Sequence, residues 1–190
     1  MDALTLDPAH TALVVVDIQE KLAPAMPSGD YERLLKATHL LVETARLLGM
    51  STFATEQYPQ GLGPTVQSLR EAFAGFPTVV VPSEKTVFSA ATPAVLEALH
   101  RAHVRRVLVV GLEAHVCVFQ TVRDLLGRGF GVHVPHDAVA SRDPKNRDVA
   151  LATLRAHGAA VTSAETAVFD LLHDAKHPHF RALSKLVKAL

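Results

Sequence analysis

Cysteine is the residue that this chain nearly lacks. Among 190 residues there is a single cysteine, Cys117. One cysteine excludes a disulfide within the chain and a zinc site built from several cysteines. Cys117 is therefore either a small buried apolar residue or a reactive thiol. Because a free thiol persists most simply in a reducing compartment, we expect a cytoplasmic protein.

Long apolar runs and an excess of charge of one sign are also missing. The longest apolar stretches, LVVV and VLVV, are far shorter than a membrane span. The start MDALTLDPAH has neither the basic residues nor the apolar core of a secretory signal. The 19 Lys and Arg residues balance 19 Asp and Glu residues without a basic run. We therefore expect no membrane partner and no nucleic-acid partner.

What the chain does contain is a regular alternation of apolar runs and helical patterns. With 48% hydrophobic and 20% charged residues, its composition is that of a globular protein. We expect one domain over residues 1–190. Strands are predicted at 11–17, 51–56, 78–83, 106–112, 131–137 and 159–164. Helices are predicted at 30–49, 63–73, 92–102, about 116 to 127, 144–158 and 164–175.

This alternation predicts an α/β fold. Strands that are apolar throughout and joined through helices are typical of a parallel sheet covered on both faces. Right-handed crossovers then favour a three-layer, doubly wound domain with six mostly parallel strands in the order 3-2-1-4-5-6. The tail, residues 178–190, has apolar residues at helical spacing. We expect it to pack on the body or on a partner subunit.

Three chemically reactive residues come at the ends of predicted strands, where such sheets bind ligands. Asp17 ends the first strand, Lys85 follows the third, and Cys117 opens the helix after the fourth. A helix N-terminus and a nearby lysine would lower the pKa of the Cys117 thiol, and Asp17 could act as a base. Each residue alone is more typical of an ordinary role: a buried cysteine, a turn former, a solvated lysine. Together they favour a nucleophilic site.

Three segments that carry these residues resemble one enzyme family. VVVDIQEKL, EKTVFSA and GLEAHVCVFQT are similar to motifs of the isochorismatase-like cysteine hydrolases, which include nicotinamidases, N-carbamoylsarcosine amidases and isochorismatases. TEQYPQGLGPTV and DAKHPHFRALSKLVK resemble the isochorismatase domain-containing protein 2 branch. The resemblance spans nearly the whole chain. It implies a catalytic triad of Asp17, Lys85 and Cys117, and a homo-oligomer.

The resemblance also implies further site features. A cis peptide bond at Leu112–Glu113 would direct the N–H of Glu113, with that of Cys117, at an oxyanion. Gln19 would lie near the substrate pocket. We expect four other residues to line that pocket, although ordinary packing would explain them as well: Gln57, Tyr58, Phe88 and His115.

One departure from the family narrows the activity. Nicotinamidases carry an Asp-x-His metal motif after the second strand, where this chain reads TEQYPQ without a histidine. We therefore expect no metal and no cofactor, which disfavours nicotinamidase itself. Isochorismatase activity is also disfavoured, because hydrolysis of a vinyl ether needs an acid rather than a thiol.

The sequence leaves two functions open. In the first, Cys117 attacks a small amide or related C–N substrate and forms a thioester, which water then hydrolyses. In the second, the same fold is a non-catalytic ligand-binding or redox-sensitive protein. A nucleotide-binding Rossmann domain is disfavoured, because no G-x-G-x-x-G or G-x-x-x-x-G-K-[ST] motif follows a strand.

Overall fold

A parallel sheet forms the middle layer of the computed structural model, which describes residues 4–190. Six strands lie in the order β3-β2-β1-β4-β5-β7, and the two-residue β6 pairs with β4. The predicted α/β, doubly wound layout is confirmed; the sixth predicted strand is β7. The strands are β1 (Thr11–Val16), β2 (Ser51–Gln57), β3 (Ser83–Lys85), β4 (Arg106–Leu112), β5 (Gly131–Pro135), β6 (Val139–Ala140) and β7 (Ala160–Thr162).

Helices cover both faces of this sheet. They are α1 (Ser28–Leu47), α2 (Pro59–Leu62), α3 (Gln67–Ala74), α4 (Pro93–Arg101), α5 (Phe119–Leu126), α6 (Pro144–Ala156), α7 (Ala164–Leu172) and α8 (Phe180–Val187). The helix α4 begins as its sequence predicts, because the Thr92 hydroxyl accepts from the N–H of Val95 and Pro93 occupies the first position. Short β6 went unpredicted, since two residues show no pattern.

Successive residues of β1 face opposite cores. Leu13 and Val15 pack with α1, α3, α7 and α8. Val14 and Val16 pack with α4, α5 and α6. Every residue of β1 and β4 is buried, which explains why both strands are apolar throughout. Because β1 and β4 pair in parallel, their carboxyl ends lie side by side.

The third strand lies later than its apolar sequence predicts. The prediction covers 78–83, but β3 is Ser83–Lys85 and pairs with only the last three residues of β2. Val80 packs on the core instead, and its N–H donates to Phe73 O. Pro82 has no N–H to give a ladder, which opposes a strand through that position. This shift places Lys85 inside a strand, beside the end of β2.

The chain's last helix packs on the body of the same chain. In α8, Leu183 is fully buried, and Phe180 and Val187 contact the core beneath α1 and α7. The rings of Phe169 and Phe180 lie 6.3 Å apart. Across residues 4–190, no helix has both the length and the apolar character that crossing a bilayer requires.

Candidate active site

Asp17 occupies a sharp bend at the end of β1. Its backbone is left-handed, with φ of 51°, and its carbonyl accepts from the N–H of Gln19. The carboxylate is completely buried. Its Oδ1 accepts from the Thr55 hydroxyl at 2.8 Å, and its Oδ2 accepts from Lys85 Nζ at 2.6 Å. The residue before Asp17 is the register partner of Thr55, so adjacent strands β1 and β2 create this contact.

Lys85 is buried with its ammonium surrounded by oxygen atoms. Besides Asp17, Nζ donates to Gln57 Oε1 at 2.8 Å, Phe88 O at 2.9 Å and Val87 O at 3.3 Å. A buried ion pair is costly unless hydrogen bonds satisfy both ions. Here the acceptors come from β2, from the carboxylate after β1 and from the loop after β3. The ammonium therefore holds three segments of the site together.

Cys117 lies in the turn that joins β4 to α5. The peptide bond between Leu112 and Glu113 is cis. Residues Ala114–Val118 then form a wide helical turn, in which the N–H of Val118 donates to Glu113 O. Wide turns of this kind are frequent at functional sites. Because β1 and β4 are neighbours, this turn brings the thiol to the carboxylate of Asp17.

The thiol of Cys117 is neutral in the free protein. Burial and the negative charge of Asp17 raise the pKa of Cys117 to about 12, and a hydrogen bond to Asp17 acts in the same direction. Lys85 opposes this rise but does not overcome it. The sequence-based prediction of a lowered pKa is therefore wrong, because it counted the helix and the lysine but not the burial. A thiol with a pKa this high reacts as a nucleophile only if a base takes its proton.

Two threonines form hydrogen bonds to the site residues, and the sequence analysis predicted neither of them. Thr55 donates to Asp17, as described above. Thr121 lies one helical turn after Cys117 and donates to Cys117 O at 2.6 Å, while its oxygen accepts from the N–H of Ala90 at 2.8 Å. Thr121 does stand in the GLEAHVCVFQT motif, at the position four residues after the cysteine. That spacing is the one available signal for its role.

The two glutamines expected in the pocket make hydrogen bonds around the site. Gln19 is fully buried; its Nε2 donates to Gln57 O and Gly63 O, and its Oε1 accepts from the N–H of Gln57. The side chain of Gln57 accepts from Lys85 and donates to Thr86 O at 2.7 Å. These contacts use both ends of each amide.

The remaining predicted pocket residues are exposed or half-buried. Tyr58 and Phe88 are exposed. His115 is half-buried, and its Nδ1 lies 2.9 Å from the Ser141 hydroxyl. The carboxylate of Glu113 accepts from the backbone N–H of Arg142 and lies 3.5 Å from the Arg142 Nε. Within residues 4–190, no three His, Cys, Asp or Glu side chains cluster closely enough to hold a metal ion.

Comparison with known proteins decides the family. Residues 11–166 match the Isochorismatase domain. This chain belongs to the isochorismatase family. Isochorismatase domain-containing protein 2 of Bos taurus is 41% identical over 182 residues, which are 95% of this chain and 84% of the relative. The predicted resemblance is confirmed at the level of the family and of these relatives, and family membership supports a hydrolase.

Solved structures of similar fold extend the comparison. The MAR1 ribonuclease from Caenorhabditis elegans superposes with a TM-score of 0.90 at 38% identity, covering 97% of this chain and 92% of that one. A nicotinamidase from Staphylococcus aureus superposes with a TM-score of 0.70 at 22% identity, covering 80% and 97%. At that identity the nicotinamidase shares the isochorismatase-family fold, and no more follows from it.

Proposed function

We propose that this isochorismatase-family protein is a cysteine-dependent hydrolase of a small amide or related C–N bond. One observation carries the proposal: the buried carboxylate of Asp17 accepts from the Lys85 ammonium and also contacts the Cys117 thiol. A nucleophile, a base within hydrogen-bond reach and a third group that orients the base are the components of nucleophilic catalysis.

In the first half of the reaction, Asp17 takes the thiol proton as the sulfur of Cys117 bonds to the carbonyl carbon. The carbonyl electrons move to oxygen, and the backbone N–H groups of Glu113 and Cys117 stabilise that oxyanion. The C–N bond then breaks, and protonated Asp17 gives its proton to the leaving nitrogen. An amine or ammonia departs, and a thioester remains on Cys117.

In the second half, water attacks the thioester carbon while Asp17 takes a proton from the water. The second tetrahedral intermediate uses the same oxyanion donors. Collapse breaks the C–S bond, the sulfur recovers the proton from Asp17, and a carboxylic acid leaves. Lys85 touches no reacting atom in this scheme; its hydrogen bond holds the carboxyl group of Asp17 in position through both halves of the reaction.

The charges around the thiol favour an uncharged substrate. In the part of the chain that the structure describes, the carboxylates of Asp17 and Glu113 raise the pKa of the thiol. Each already has a cation beside it, Lys85 and Arg142 respectively. An uncharged amide needs no further counter-charge. We also propose a reducing, cytoplasmic setting, because oxidation of the thiol would stop this reaction.

The thioester is the intermediate that tests this function. We expect a panel of small primary amides and ureides to include a substrate that releases ammonia and adds an acyl mass to Cys117, seen by mass spectrometry of quenched enzyme. Hydroxylamine should remove that mass. Cys117→Ala should lose both the adduct and turnover, by about 10⁴-fold or more.

The same panel separates the alternatives. Turnover that persists in Cys117→Ala would exclude the thioester pathway. A compound that raises the melting temperature without being hydrolysed would favour a ligand-binding protein. An oligoribonucleotide belongs in the panel because the similar C. elegans protein is named a ribonuclease; its cleavage in place of amides would overturn the C–N assignment.

We further propose that copies of this chain associate through an apolar edge patch, which we define as Val79, Val81, Val87 and Phe88. All four side chains are exposed, and they flank β3 at the edge of the sheet. A groove of about 500 Å³, lined by Val79 and Val81, lies between residues 76–81 and β2. Exposed apolar side chains and an open strand edge both favour association.

A charge placed on the edge patch should prevent this association. We expect Val81→Lys, at a side chain 77% exposed, to lower the mass measured by light scattering to that of a monomer. Val149→Lys is the matched control, because Val149 is 66% exposed but lies on α6, outside the patch. Equal masses for wild type and Val81→Lys would show that copies do not meet at this edge.

A further inference from the structure

The hydroxyl of Thr121 joins two parts of the site that are distant in sequence. Thr121 is fully buried in α5. Its Oγ1 donates its one proton to Cys117 O, and a lone pair of the same oxygen accepts from the N–H of Ala90. A threonine hydroxyl can make both bonds at once. Ala90 is itself completely buried, so its N–H is out of reach of solvent.

Ala90 closes the segment that we define as the cation loop, residues 86–90. Two carbonyls of this loop, those of Val87 and Phe88, accept from the Lys85 ammonium. At its start, the carbonyl of Thr86 accepts from the Gln57 side chain. At its end, Thr121 holds the Ala90 N–H. The loop is therefore anchored to β2 at one end and to α5 at the other.

The anchor to α5 matters because Cys117 and Lys85 belong to opposite sides of the site. Lys85 lies on β3, at the edge of the sheet, while Cys117 follows β4, three strands away in the sheet order. Asp17, which directly follows β1 between them, contacts both residues. We propose that Thr121 is a positioning residue that couples the turn of Cys117 to the cation loop, and that it sets the separation of thiol, carboxylate and ammonium.

This role rests on the proposed hydrolysis by Cys117, and it explains why a hydroxyl is buried there. A buried threonine can donate to the carbonyl four residues earlier without joining two separate segments of the chain. Thr44 makes the same bond to Leu40 O at 2.7 Å, fully buried in α1 and away from the site. What distinguishes Thr121 is the second bond, to the N–H of Ala90. Thr44 is thus a matched control within the same chain.

Thr121→Val keeps the shape of the side chain and removes both hydrogen bonds. We expect kcat to fall by about 10- to 100-fold while KM changes by less than about 3-fold, because the reacting groups are misplaced but the binding surface is kept. Ala90 and Cys117 belong to the same buried cluster, so loosening the cation loop should also expose the thiol. Alkylation of Cys117 by iodoacetamide at about pH 8 should therefore become at least about 3-fold faster. Thr44→Val should leave both kcat and the rate of Cys117 alkylation at wild-type values.

A second variant distinguishes loss of the Thr121 hydroxyl from a general loss of structure. Thr121→Ser keeps the hydroxyl and should restore both rates to within about 3-fold of wild type. If Thr121→Val does not fold, Thr121→Ala removes the same hydroxyl without leaving a misplaced methyl group. A lowered melting temperature with unchanged kcat and unchanged alkylation would show that Thr121 only supports the fold, and would overturn the proposal.

The two readouts also separate this proposal from the proposed function. Alkylation reports on the thiol whether or not the wild type hydrolyses any amide. An inactive wild type whose thiol is unmasked by Thr121→Val, and not by Thr44→Val, would refute hydrolysis and retain the coupling. An active wild type whose Thr121→Val variant behaves like Thr44→Val would retain hydrolysis and refute the coupling.

Discussion

Asp17→Asn should lower the pKa of the Cys117 thiol and at the same time abolish hydrolysis. The carboxylate is one of the causes that raise this pKa to about 12, so its removal favours the thiolate. Asparagine cannot take the thiol proton or return it to a leaving group, and we expect turnover to fall by about 10²- to 10⁴-fold. A more acidic thiol in a less active enzyme is the signature of a base.

Lys85→Met should move the same pKa in the opposite direction. Within residues 4–190, Lys85 is the cation that lowers the pKa of Cys117, so its loss raises that pKa further. Turnover should also fall, because Asp17 loses the partner that orients it. Leaving Asp17 buried without its cation should destabilise the fold by about 3–5 kcal/mol. The exposed Lys36→Met is the control, and it should change neither the thiol pKa nor turnover.

The measurement for both variants is the rate of iodoacetamide alkylation of Cys117 as a function of pH. Alkylation follows the thiolate, so in the wild type the rate should keep rising towards pH 12 instead of levelling near the value of about 8.5 for a free thiol. Asp17→Asn should shift the curve to lower pH, and Lys85→Met to higher pH. A shift of the two curves in the same direction would contradict the arrangement of charges described above.

Gly111→Ala should be among the most destabilising substitutions in this protein. Gly111 is the register partner of Val16 in the β1–β4 ladder and has φ of +128°. A Cβ built there would overlap Val16 O and would lie 2.8 Å from Val16 N. Since backbone atoms cannot turn aside as a side chain can, the two central strands must separate. We expect a loss of about 3 kcal/mol or more in the free energy of unfolding, measured in urea.

A second glycine isolates the cause of that loss. Gly129 also has a positive φ, +83°, but a Cβ there meets nothing within 4 Å. Gly129→Ala should therefore cost about 1 kcal/mol, from the backbone conformation alone. Folded Gly111→Ala should in addition be inactive, because Asp17 follows Val16 and the Cys117 turn follows β4. Equal losses at both glycines would show that the close approach of the strands is not the cause.

Local sequence determined the order of elements and the residues placed at strand ends. An apolar strand buried on both faces needs no information from the rest of the chain to be recognised, and β1 and β4 were predicted within a residue at either end. The carboxyl ends of parallel strands lie on the same side of a sheet, so Asp17, Lys85 and Cys117 could be expected near one another. Motif resemblance added the family, which the Isochorismatase domain match confirms.

Tertiary structure decided what depends on contacts between segments. The apolar run at 78–83 has the composition of a strand, yet the pairing of β2 and β3 places the strand at Ser83–Lys85. The pKa of Cys117 depends on burial by elements far away in sequence, so a helix terminus and a lysine alone predicted the wrong direction. The hydroxyl of Thr121 has its two partners set by packing, one of them 31 residues away. Sequence determines which groups lie at the carboxyl ends of the strands, whereas the packing around them determines their protonation and their partners.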